Sequence, residues 1–127
     1  LTSLFSKTIE GMSIIPIMII VALIACTTTQ FFSNTATAVI LSTIIAPIAV
    51  VMYQQGINVS VFPAIIGIGA TTACLIPSGS GQAAIMLGTD IFRGSDGQKW
   101  ALSKGFIILG ACAIAVILGG VISVMIL

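Results

Sequence analysis

The sequence predicts an all-α membrane protein: a re-entrant helical hairpin, one broken transmembrane helix and a C-terminal transmembrane helix. Three observations carry that prediction. Hydrophobic residues fill 58% of the 127 positions and charged residues 6%, whereas a soluble domain spends about a quarter of its residues on Asp, Glu, Lys and Arg. Nothing from Gly11 to Thr89 carries a formal charge; Lys7 and Glu10 precede that stretch, and Asp90, Arg93, Asp96, Lys99 and Lys104 follow it. Apolar runs recur to the last residue, so they are structural and not a cleaved signal peptide.

The first element, residues 12–53, reads as the hairpin. The apolar run from Met12 to Cys26 is only about 22 Å long as a helix at 1.5 Å per residue, short of the ~30 Å hydrocarbon core. Thr27, Thr28, Thr29, Gln30, Phe31, Phe32, Ser33, Asn34 and Thr35 interrupt it. A second apolar run, Ala36 to Tyr53, contains Pro47 and ends in the polar turn Gln54 to Ser60. Two short helices joined at a polar tip fit a re-entrant hairpin, tolerated where protein or a water-filled cavity covers the non-helical backbone. Two ordinary spans with the polar stretch at the far surface are the alternative.

The second element, residues 61–92, is an apolar region broken by Pro77, Ser78, Gly79, Ser80, Gly81 and Gln82. Its halves, Val61 to Ile76 and Ala83 to Phe92, are each too short to cross and together about the right length. A helix broken midway exposes carbonyls at the end of its first half and amides at the start of its second. Midplane ion and substrate sites are built in this way. Residues 93–104 hold three of the four basic residues and are expected to form a cytoplasmic loop, since short loops rich in Lys and Arg face the cytoplasm. That puts the Gln54 to Ser60 turn and the C-terminus outside, Asp90 at the interface and Trp100 at the headgroups. The final element, 105–127, is expected to span. Gly105, Gly110, Ala111, Ala113, Ala115, Gly119 and Gly120 would let another helix approach it closely.

Composition also excludes functions. A net charge of +1 without a basic run argues against nucleic acid as a partner, and no histidine is present, which removes the commonest metal ligand and proton shuttle. Cys26, Cys74 and Cys112 sit in apolar surroundings and are expected to pack as small hydrophobes. No nucleophile lies beside a base, so an enzyme is not expected, and the glycine-rich stretch lacks the Gly-Lys-Ser/Thr ending of a phosphate loop. What remains is binding by neutral groups. Hydroxyl and amide oxygens at Thr27 to Thr37 can coordinate a hard cation or hydrogen-bond an anion, and Ser80 and Gln82 can orient a ligand near the Gly79 and Gly81 backbone. The plainer alternative is that these Ser and Thr residues satisfy helix carbonyls and caps.

Ser33-Asn34-Thr35, followed by Ala36-Thr37-Ala38, resembles the second Ser-Asn-Thr signature of the divalent anion:sodium symporter family, and the likeness runs from about Met12 to the end. In that family the signature lies at the tip of a re-entrant hairpin, within an inverted-repeat fold of the ion transporter superfamily. The resemblance implies sodium held by Thr29, the backbone of Phe32, the side chain of Asn34 and the backbone of Gly79. It implies an anion, dicarboxylate or sulfate, facing Ser33, Asn34, Thr35, Ser80 and Gly81. Sodium would be co-transported, with no organic cofactor.

Residues 1–127 would then be the C-terminal part of a transporter domain. Its partners would be membrane lipid, an N-terminal remainder with a second such half, and a second copy in a homodimer. Its place would be the bacterial or archaeal cytoplasmic membrane. Where the family usually has Thr-Pro-Pro, this chain has Ser80-Gly81-Gln82, which keeps a hydroxyl. The string Pro77 to Gln82 also resembles loops in other carriers of the superfamily, including anaerobic dicarboxylate carriers. A proton-coupled or exchange carrier is therefore the alternative within transporters, and a non-transporting membrane subunit the alternative outside them.

Overall fold

A computed structural model of the chain describes residues 13–92 and 94–126, and these contain helices and no strand. Met12, the charges Lys7 and Glu10, Arg93 and Leu127 lie outside the described residues. The helices are α1 (Ile14–Thr28), α2 (Asn34–Gln54), α3 (Val61–Ala70), α4 (Gly81–Leu87) and α5 (Ser95–Ile126), with a 3-10 turn at Asp90–Phe92. Two of them, α2 with 21 residues and α5 with 32, are long and apolar enough to cross a membrane, at mean hydropathies of 2.2 and 2.7.

Local chemistry explains where each helix starts and stops. Pro16 and Pro63 sit in the first turns of α1 and α3, where a missing N–H costs nothing. Thr27 Oγ1 donates to Leu23 O at 2.7 Å and Thr28 Oγ1 to Ile24 O, serving carbonyls near the end of α1. Ser33 caps α2 by accepting from Ala36 N at 3.2 Å. At the other end of α2, Gly56 has φ +79°, a left-handed conformation that glycine adopts freely and that reverses the chain after a helix.

The structure corrects four expected boundaries. Asn34 to Thr37 belong to α2, so the polar connection shrinks to Thr29–Ser33; the second arm is thereby of spanning length. The first half of the broken helix stops at Ala70 and not Ile76, because the Thr71 and Thr72 hydroxyls turn back onto Ile68 O (2.7 Å) and Gly69 O (2.8 Å). The second half starts at Gly81 and ends at Leu87, where Gly88 and the Thr89 bond to Met86 O (2.8 Å) close the helix before the 3-10 turn. Residues 95–104, expected as loop, are the opening turns of α5. Phe92 stacks on Trp100 there, with ring centroids 6.0 Å apart.

Helix α1 lies at the centre, packed against α3, α5 and α2. Its Met18, Ala22 and Ala25 are wholly buried, against Phe62, Ile65 and Ile66 of α3, Leu41 and Ile45 of α2, and Val116 of α5. The outer faces of α2 and α5 remain apolar, with Val39, Ile44, Ile114 and Leu118 all exposed, an exterior that suits lipid. Among the glycines of α5, Gly105 and Gly120 are buried in close contact with Leu75, and with Ile65 and Met18, while Gly110 and Gly119 face open space. The three cysteines are free, Cys26 buried and the other two half-buried.

Gly69 of α3 lies close against α1, where a Cβ would be 2.8 Å from Ala25 Cβ. Ala25 has no flexible end to yield. Gly69→Ala is therefore expected to cost about 1–3 kcal/mol, the usual range for overpacking. Gly67→Ala, with nothing within 4 Å, should be neutral or gain up to ~1 kcal/mol of helix propensity. Thermal unfolding of the two variants in detergent checks the contrast.

Candidate functional site

The polar connection after α1 and the unwound stretch after α3 meet inside the bundle. Thr29 and Gln30 are buried at 0% and 2% exposure. Thr29 Oγ1 donates to Ala70 O, the last carbonyl of α3, at 2.5 Å. Asn34, the first residue of α2, brings its amide to the same place. With its nitrogen turned inward it faces Ala70 O at 2.8 Å, Thr29 Oγ1 at 3.0 Å and Gly79 O at 3.3 Å.

Those contacts are three acceptors around one group with two protons. The two protons of the inward nitrogen and that of the Thr29 hydroxyl, which donates to Ala70 O, together serve them in the ligand-free chain. Turned the other way, Asn34 Oδ1 joins the other three oxygens and accepts from the Thr29 hydroxyl at 3.0 Å, a set of neutral oxygens of the kind that hard cations accept as ligands. None of the four residues ionises, and no group of His, Cys, Asp or Glu that could hold a metal occurs among the described residues.

Gly79 reaches this point because it has no side chain: a Cβ there would lie 3.0 Å from Thr29 O, 3.1 Å from Gln30 O and 3.0 Å from Ala73 Cβ. The backbone between α3 and α4 is non-helical and must find its partners within the protein. Ser80 Oγ donates to Ala73 O at 3.0 Å and accepts from Ala83 N at 3.1 Å, joining that stretch to the start of α4. Gln30 serves three more groups of that stretch. Its Nε2 donates to Cys26 O at 2.9 Å and Thr72 O at 3.0 Å, and its Oε1 accepts from Cys74 N at 3.1 Å and Leu75 N at 3.0 Å.

Of the residues expected to hold sodium, Thr29, Asn34 and Gly79 come together. Phe32 makes no hydrogen bond to them: its amide donates to Thr28 O at 3.0 Å and its ring is exposed; the further carbonyl beside Asn34 is that of Ala70. Of the residues expected to face an anion, Ser33, Thr35 and Gly81 are exposed, and Asn34 and Ser80 half-buried. Thr37, one turn into α2, is buried with its hydroxyl unpartnered. Sequence reasoning assigned no role to Ala70 and included Gln30 only as one of the hydroxyl and amide residues of Thr27 to Thr37. Ala70 acts through a carbonyl that every residue has, so only the helix break could have pointed to it. Gln30 was visible as the one long carboxamide of the polar stretch. No family model matches the chain, and neither does any curated protein or solved structure.

Proposed function

We propose that this chain is part of a secondary transporter that carries a small divalent anion, dicarboxylate or sulfate, together with sodium. The observation that carries the reading is the convergence of Thr29, Asn34, Ala70 and Gly79 oxygens where a broken helix meets a polar connection. Neutral oxygens suit a monovalent cargo ion that must also leave. Carboxylate ligands would raise affinity through their charge.

In this reading α1 and α2 form a re-entrant hairpin, and the exposed Ser33, Thr35 and Gly81, with Asn34 and Ser80, receive the anion beside the ion. Sodium supplies the countercharge and orders the site first, which makes cation and anion binding reciprocally favourable. A second, inverted half supplies the matching signature, and the carrier works as a homodimer in a bacterial or archaeal cytoplasmic membrane. Proton coupling finds little support in the site itself, where no side chain titrates.

Uptake of labelled succinate and of labelled sulfate into vesicles containing the protein tests this reading. Replacing external sodium by choline at fixed pH is expected to abolish uptake. Uptake unchanged by choline would assign the chain to a proton-coupled or exchange carrier, and no uptake of either anion in either medium would favour a non-transporting subunit.

A further inference from the structure

Gln30 touches none of the atoms expected to hold cargo, yet its carboxamide is saturated. Both protons and both lone pairs of that group are used, on Cys26 O, Thr72 O, Cys74 N and Leu75 N, at 2.9–3.1 Å. One partner belongs to α1 and three to the unwound stretch. That stretch follows directly on Ala70 O and carries Gly79 O near its far end, the two carbonyls that face Asn34.

We propose that Gln30 is the positioning residue of the cation site, fixing the unwound backbone at the height where the Ala70 and Gly79 carbonyls converge on Asn34 and Thr29. The role is specific to this side chain. Glutamate keeps the acceptors and loses the donors, asparagine is one methylene too short to reach Thr72, Cys74 and Leu75, and methionine fills the volume with no hydrogen bond. Without the brace, four backbone groups lose a partner, Cys26 O and Leu75 N in the buried interior and Thr72 O and Cys74 N at its part-buried edge, and the stretch must move to find others. The carbonyls at its two ends move with it. The inference rests on the cation reading above for its consequence, but the brace itself has a readout that needs no transport.

Cys74 lies within the braced stretch and is half-buried. In protein carrying Cys26→Ala and Cys112→Ala, the rate of maleimide labelling of Cys74 in membranes reports how firmly the stretch is held. Gln30→Met and Gln30→Glu are each expected to raise that rate at least tenfold. They should also raise the sodium concentration for half-maximal uptake at least tenfold, with maximal uptake largely recovered at saturating sodium. Thr43→Ala, which removes only an exposed bond within α2 to Val39 O, should change neither. Gln30→Asn is the milder variant, expected to move both readouts in the same direction if the other two do not accumulate in the membrane.

Labelling unchanged in the Gln30 variants would overturn the brace. Faster labelling with an unchanged sodium requirement would make Gln30 a structural residue only and overturn its positioning role. If the parent protein shows no sodium-dependent uptake, the transport reading fails by itself. In that case sodium protection of Cys74 from labelling, present in the parent and lost in Gln30→Met, replaces the uptake arm, and its absence in the parent overturns the proposal.

Discussion

Asn34→Ala is expected to lower sodium-driven anion uptake roughly a hundredfold or more, from the loss of about 1–3 kcal/mol at each buried acceptor left without a partner. Asn34 is the group on which Ala70 O, Thr29 Oγ1 and Gly79 O converge at 2.8–3.3 Å. An alanine supplies neither the protons that help to serve them in the ligand-free chain nor the oxygen that completes the set around an ion. Asn34→Asp separates those two functions. A carboxylate offers an oxygen in either orientation, so sodium should bind at least as tightly, read as thermal stabilisation by sodium over choline. Its negative charge would also repel the anion and slow release of the ion, so uptake should still be lost. An Asn34→Ala protein that keeps both its uptake and its sodium requirement would remove the cation site from this place.

Gly79→Ala is expected to have the second largest effect, reducing stability by about 1–3 kcal/mol and abolishing sodium dependence along with it. The three atoms that the new methyl would meet within 3.1 Å are two backbone oxygens and the Cβ of Ala73. None is the end of a flexible side chain. Relief requires the stretch after α3 to withdraw from the connection after α1, which takes Gly79 O out of the oxygen set. Gly81→Ala, two residues on and with nothing within 4 Å, should leave unfolding in detergent unchanged. Equal stability of the two alanine variants would contradict the close approach.

The parts of the fold that hydropathy could read were the apolar ones. The last spanning helix, the polar interruption after Cys26 and the break before Gly81 follow from solvent preference and from the Ser, Pro and Gly residues that punctuate the chain. Residues 95–104 were misread for the same reason. Their charges report an aqueous or interfacial surrounding, and Gln98, Lys99, Trp100, Ala101 and Leu102 are compatible with helix in any solvent. The end of α3 at Ala70 depended on two threonine hydroxyls choosing local carbonyls, a competition that composition leaves even. Thr29, Asn34 and Gly79 were named through the resemblance carried by Ser33-Asn34-Thr35, while side-chain chemistry alone singled out the whole polar stretch and the glycine-rich break. The contribution of Ala70 is a main-chain oxygen and leaves no local trace, and Gln30 shows locally as a carboxamide while its bracing bonds run to residues more than 40 positions away.

The lack of an ionisable side chain among Thr29, Asn34, Ala70 and Gly79 has an electrical consequence. A transmembrane potential acts on each elementary charge with about 2.3 kcal/mol per 100 mV. Thr29, Asn34, Ala70 and Gly79 bring none, so in the proposed carrier an empty site would return across the bilayer with no charge of its own for the field to act on. All the voltage dependence of a cycle then belongs to its passengers: two sodium ions with a dianion would cross silently, and a third would make every turnover a current.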